Sequence, residues 1–162
     1  MNVLISDANI FIDLIEGGLL EELFQLEQTI KTSDILFYEE LEQNHADLLV
    51  KGLILVELVE DSMIYFESLL QKAEGPSTND CFAMVTAWQE KCPLLTGDRA
   101  LKELAESEKV EVKGTVWVVF EMLNQNVISL EHARTAFTKM KISKRRLPWR
   151  TIEKMLLEYD SR

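Results

Sequence analysis

Apolar residues along this chain come in two alternating rhythms. Short continuous runs, Asn2-Val3-Leu4-Ile5-Ser6, residues 53–59 and Pro93-Leu94-Leu95-Thr96, have the length of buried strands. Ile30-Lys31-Thr32-Ser33 and Val110-Glu111-Val112 are weaker runs of the same kind. Between them apolar positions recur every three or four residues. That spacing predicts helices from Asp7 onward, over 19–26, 35–49 and 61–72, from Ser77 or Thr78 to Lys91, and over 99–107. Gly17-Gly18, Gly52 and Gly75-Pro76 separate the segments. Asp34 is the expected N-cap of the helix that follows it, with Leu36, Tyr38, Leu41 and Leu48 facing the core. Met63, Ile64, Phe66, Leu69 and Leu70 mark the apolar positions of the 61–72 helix. After Gly114 the pattern is helical only, over 115–123, 129–140 and 148–159, with Pro148 suited to a first helical position.

Strands that alternate with helices over residues 1–113 imply a parallel sheet wrapped on both faces. The expected fold is therefore a three-layer α/β/α sandwich around a parallel sheet of about five strands, with a helical C-terminal extension. A length of 162 residues suits one domain, with its core over about 1–125 and its extension over about 126–162. No apolar run reaches the roughly 20 residues that span a bilayer, so no membrane partner is expected. A strand at residue 2, with no basic region ahead of an apolar one, gives no sign of a targeting peptide. Cys81 and Cys92 fall in or beside one helix, roughly 16 Å apart at 1.5 Å per residue, too far for a disulfide. A reducing, cytoplasmic setting is the simple inference.

Charge changes the picture more. The net charge is −11, which argues against a general nucleic-acid binder. Yet residues 132–152 hold seven basic side chains (Arg134, Lys139, Lys141, Lys144, Arg145, Arg146 and Arg150) and no acid. The remainder carries ten basic residues against twenty-eight acidic ones. The tail is electrostatically a different object from the body.

Four acids fall where a site can form. Asp7 follows the first strand, Glu40 lies in the helix after the second, Asp80 opens the helix before the fourth, and Asp98 follows the fourth. Parallel sheets build sites at the C-terminal edge of their strands, so these carboxylates can converge there. Converging like charges destabilise a fold, and a divalent cation removes that cost. A set of oxygen ligands, without His or Cys, suits Mg²⁺ or Mn²⁺ rather than Zn²⁺. Such ions activate a water for in-line attack on a phosphodiester and stabilise the leaving oxygen. Each acid also has a structural role open to it. Asp7 and Asp98 can be N-caps, Asp80 a first-turn acid that complements the helix dipole, and Glu40 one of a solvated group with Glu39 and Glu42. Asp34 and Asp13 read as a cap and a solvent-facing residue, and His45 and His132 as surface residues. Trp88, Trp117 and Trp149 read as core or interface anchors.

The segment Asp7-Ala8-Asn9-Ile10-Phe11-Ile12-Asp13-Leu14 resembles the opening motif of PIN-domain ribonucleases. Tyr38-Glu39-Glu40-Leu41, Ser77-Thr78-Asn79-Asp80-Cys81-Phe82-Ala83-Met84 and Leu95-Thr96-Gly97-Asp98-Arg99-Ala100 are similar to their later acidic segments. The tail, from Val110-Glu111-Val112-Lys113-Gly114-Thr115 through Leu147-Pro148-Trp149, is similar to a prokaryotic subgroup with an added helical end. The resemblance implies RNA cleavage with Mg²⁺ or Mn²⁺ held by Asp7, Glu40, Asp80 and Asp98. It also implies an antitoxin protein as partner, in a toxin–antitoxin pair. Asn9, Ser77, Asn79 and Thr96 are candidate contacts behind the metal or to phosphate. Lys139, Lys141, Lys144, Arg145 and Arg146 are candidate contacts to RNA or a partner. Self-association is a further option. One position departs from the family pattern: Ala8 stands where Thr or Ser is usual, which removes a hydroxyl near the metal. The alternative is a catalytically silent module of the same fold that binds or scaffolds a partner. A phosphotransfer enzyme with an aspartyl nucleophile ranks last, because it needs a second Asp where this chain has Asn9.

Overall fold

The computed structural model describes residues 2–162. Its centre is β1 (Val3–Ser6), whose Leu4 and Ile5 are buried on both sides. β2 (Thr29–Ser33) and β3 (Ile54–Val56) add to one side of it, and β4 (Leu94–Leu95) and β5 (Val112–Lys113) to the other. All four pairings are parallel, in the order β3-β2-β1-β4-β5. The register places Ile5 beside Lys31 and Leu94.

Two sets of helices cover this sheet. α1 (Ala8–Glu16) buries Ile10, Phe11 and Leu14 completely and packs against α2 (Leu20–Leu23), α9 (Thr115–Asn124) and α10 (Leu130–Ile142). On the opposite side α7 (Thr78–Glu90) crosses β1, β2 and β4, with α6 (Glu60–Lys72) and α8 (Arg99–Ser107) against it. Right-handed crossovers require this division, since the chain leaves β1 in one direction and returns past it in the other. α11 (Trp149–Asp160) closes the tail on α10. A Cβ added to Gly17 would lie 3.3 Å from the Ala136 carbonyl and collide with Met140. Glycine there lets the end of α1 approach the α10 backbone. Among the described residues no helix is long and apolar enough to cross a membrane.

Several local expectations are corrected. The single helix expected over 35–49 is instead α3 (Asp34–Leu36), a π turn over Phe37–Leu41, α4 (Glu42–His45) and a separate α5 (Leu48–Lys51). The wider π turn shifts the helical phase, so Phe37 is buried and Tyr38 is 55% exposed. Ser33, not Asp34, is the N-cap: its hydroxyl accepts from the Leu36 amide at 3.4 Å. Met63, Ile64 and Leu70 are exposed, because α6 buries only the stripe through Ser62, Phe66 and Leu69. β3 stops at Val56, and the fifth strand sits at Val112–Lys113 rather than 110–112. Pro148 precedes the first turn of α11 instead of opening it.

Candidate active site

The strand order reverses direction between β1 and β4. The chain first builds outward through β2 and β3, then returns to the other side of β1. The crevice above such a switch point, at the C-terminal ends of the strands, is where open α/β sheets bind ligands. Asp7 follows β1 directly and Asp98 lies three residues past β4, one on each side of that crevice. α7 runs antiparallel to β4, so its N-terminus and Asp80 come to the same edge.

Each acid is held by the start of a helix or by a polar neighbour. Asp7 caps α1, with its Oδ1 accepting from the Ile10 amide at 3.0 Å. Its Oδ2 accepts from the Thr96 hydroxyl at 2.5 Å. The same hydroxyl oxygen accepts from the Asp98 amide at 3.1 Å, so Thr96 joins the two sides of the crevice. Asp98 caps α8 through the Leu101 amide at 2.8 Å. Asp80 and Ser77 form a capping box on α7: the Ser77 amide donates to Asp80 Oδ2 at 3.0 Å, and the Asp80 amide donates to Ser77 Oγ at 3.1 Å. Glu40 rises from the π turn, with the Asn79 side chain near enough to oppose the upward shift of its carboxyl. Capping is therefore real for Asp7, Asp80 and Asp98. It also turns the positive ends of α1, α7 and α8 toward one edge, which suits phosphate as well as carboxylate.

The electrostatics tie three of these acids together. Asp7 is 3% exposed, and among the described residues no cationic side chain pairs with it. Burial, and then the Asp80 and Asp13 charges, push its carboxyl up to about 7, against the pull of Thr96 and the Ile10 amide. Burial and the Asp80 charge also raise Glu40, with Asn79 opposing. Asn79 keeps one unused group, since its Oδ1 is buried with no hydrogen-bond partner. Among the described residues no three His, Cys, Asp or Glu side chains converge closely enough to hold one ion as they stand. The donor set still fits a hard divalent cation: every candidate ligand is oxygen, and a buried acceptor lies unpaired beside them.

The remaining candidates divide. Thr96 and Asn79 contact the acids, and Ser77 is the capping partner of Asp80. Asn9 is exposed in the first turn of α1. Lys139 and Lys141 occupy the last turn of α10, and Lys144 and Arg146 are exposed in the loop beyond it. Arg145 turns inward instead, and its Nε donates to Asp13 Oδ1 at 2.6 Å. Asp13 is thus not solvent-facing: it is 7% exposed, and its Oδ2 accepts from the Thr115 hydroxyl at 2.6 Å. Sequence reasoning missed this group, because no local pattern connects residues 13, 115 and 145. A groove of about 630 Å³ lined by Val59, Trp88 and Pro93 lies at the opposite, N-terminal edge of the sheet, away from the acids.

The fold is a parallel α/β sandwich with Asp7 and Asp98 on the two sides of its switch point. The family model described as DUF3368, a PIN domain, matches residues 3–161, and the chain belongs to the PIN-domain family. That membership supports nuclease-type hydrolysis in general, and PIN domains generally use divalent metal ions. No curated protein matches the chain significantly.

Proposed function

We propose that the protein is a Mg²⁺- or Mn²⁺-dependent endoribonuclease, with Asp7, Glu40, Asp80 and Asp98 as the residues that would hold the ion. The observation that carries this reading is Asp7, a carboxyl buried at the switch point with a like charge beside it and no cation to offset it. Burying such a charge without a partner is costly, and folds retain it where a ligand supplies the missing charge. When bound, a divalent ion lowers the pKa of water and stabilises the leaving oxygen of a phosphodiester. Thr96 fixes Asp7 relative to the loop that carries Asp98. Asn79 lies beside Glu40, and its buried Oδ1 has no hydrogen-bond partner. The helix starts at Asp7, Ser77 and Asp98 place amide dipoles at the edge where an RNA phosphate would lie. Products are a 5′-phosphate and a 3′-hydroxyl, as the family likeness implies.

In this reading the chain acts in the cytoplasm as the toxin of a toxin–antitoxin pair, and a partner protein covers the acidic edge. The exposed Lys139, Lys141, Lys144 and Arg146 offset the repulsion between RNA and an acidic body. A second reading, a silent scaffold of PIN fold, is favoured by the engagement of three acids as helix caps. Thermal unfolding with and without Mn²⁺, joined to cleavage of mixed RNAs, separates the two. The nuclease reading expects Mn²⁺ to raise Tm in wild type and not in Asp7→Asn or Asp98→Asn, with cleavage lost in both variants. No Tm response at millimolar Mn²⁺ would leave the scaffold.

A further inference from the structure

We propose that Arg145 is a positioning residue: its bond to Asp13 pegs the basic loop after α10 to the wall of the acidic crevice, where that loop guides the RNA strand. The proposal rests on the ribonuclease reading above. Three separate segments meet at the peg. Asp13 belongs to α1, Thr115 opens α9, and Arg145 lies in the loop between α10 and α11. Asp13 accepts from Thr115 at 2.6 Å and from Arg145 at 2.6 Å, and its side chain is 10% exposed against 27% for Arg145.

A continuous chain of contacts runs from this peg to the acids. Thr115 lies two residues past Lys113, whose carbonyl accepts from the Thr96 amide at 3.0 Å. The Thr96 hydroxyl bonds Asp7. The close approach of α1 and α10 at Gly17, and the bond from Ser143 Oγ to Glu16 at 2.9 Å, hold the same loop from its other end. Within the loop Lys144 takes a left-handed conformation, φ 61°, and both it and Arg146 are exposed. With Arg145 turned inward, its two basic neighbours face solvent. This loop lies in the stretch of 21 residues, 132–152, that has seven basic side chains and no acid. Stability alone does not account for the peg, because a half-buried ion pair gains little over apolar residues of the same size. Fixing where a charged loop lies does account for it.

The test is binding of a fluorescent mixed-sequence 20-nucleotide RNA to the full chain in EDTA, over a salt series, so that no cleavage is needed. Lys144→Ala with Arg146→Ala should weaken binding and make the salt dependence shallower by about two phosphate contacts. Arg145→Lys keeps the charge but loses the Nε donor that Asp13 accepts, and should bind roughly tenfold more weakly. The decisive variant is Asp13→Asn. It removes a negative charge and frees a guanidinium, so simple electrostatics expects tighter binding. The peg expects roughly tenfold weaker binding instead, with the Asp13→Asn/Arg145→Met double variant no weaker than the worse single one. Hydrogen exchange should show residues 143–148 losing protection in Asp13→Asn while β1 and α1 keep theirs. Binding by Asp13→Asn as tight as wild type, or by Arg145→Lys as tight as wild type, overturns the peg. Should Asp13→Asn fail to fold, Arg145→Lys decides alone. Wild type that binds no RNA overturns the ribonuclease reading and the strand-guiding role with it, and hydrogen exchange then still reports whether residues 143–148 are pinned.

Discussion

Asp7 and Asp13 make a controlled comparison within one molecule. Asp7 caps α1 and Asp13 lies six residues further along it, and both are buried, at 3% and 7% exposure. Both accept a short hydrogen bond from a threonine hydroxyl, Thr96 at 2.5 Å and Thr115 at 2.6 Å. They differ in the second partner. Asp13 has the Arg145 guanidinium at 2.6 Å, whereas Asp7 has only the Ile10 amide at 3.0 Å. One carboxylate is completed by the protein and the other is left short of a cation at the mouth of the switch point. An incomplete site of this kind is where an external ion gains most, because the protein has already ordered the ligand and excluded water.

The sharpest way to break this comparison is Asp7→Asn. The folded-state pKa of Asp7, about 7, lies above its ordinary value of 3.8. Between those values the folded protein binds more protons than the unfolded chain, so metal-free stability falls as pH rises from about 4 to 7 and stays low above it. That difference corresponds to about 4 kcal/mol. Urea unfolding in EDTA should show that loss in wild type, and Asp7→Asn should be more stable than wild type at pH 8 by up to about 4 kcal/mol, with little difference at pH 4. Asn remains an effective cap, so the variant keeps the α1 start. Cleavage should drop by roughly a thousandfold, the scale of about 4 kcal/mol of transition-state stabilisation. A variant that is less stable than wild type at pH 8 would make Asp7 a structural cap and nothing more.

The opposite arm of the comparison is Asp13. Asp13→Asn leaves Arg145 half-buried and without its anion, which costs about 3 kcal/mol. For a chain of this size that lowers Tm by roughly 6–12 °C. The Asp13→Leu/Arg145→Met double variant removes both charges and should recover most of the loss. Calorimetry of the two singles and the double measures the coupling directly. Coupling near zero would mean that the pair is solvated in solution.

What the sequence made legible follows the range of each interaction. Asp7 and Asp98 stand out because each lies between a short apolar run and a helix, and the alternation of strand and helix fixes which edge they reach. Asp80 is legible through Ser77, three residues before it, a local capping pattern. Glu40 among its neighbouring glutamates was not separable by periodicity, because a π turn changes the phase at that point. That turn also buries Phe37 where Tyr38 was expected. The Asp13–Arg145 pair spans 132 residues, and Arg145 in sequence is simply one of seven basic residues. Long-range pairing of this sort is decided by where α10 lands on α1, which depends on Gly17 and Met140 rather than on either charged residue.

The finest comparison is between the two threonines. Thr115→Val removes one hydrogen bond to Asp13 but leaves the guanidinium in place, so it should cost about 1.5 kcal/mol, as for a bond to a charged group. Thr96→Val removes a bond of the same type from Asp7 and also leaves the Asp98 amide without its acceptor. The stability cost should be similar in EDTA, since Asp7 can take up a proton instead of remaining charged and unsatisfied. The two variants should part in Mn²⁺. Thr115→Val should keep the full metal-induced rise in Tm, because the Asp7 side of the helix is untouched. Thr96→Val should lose part of it and need roughly tenfold more Mn²⁺ for the same rise, because the two sides of the crevice are no longer joined. Equal Mn²⁺ responses in the two variants would show that Thr96 stiffens the fold without arranging the acids.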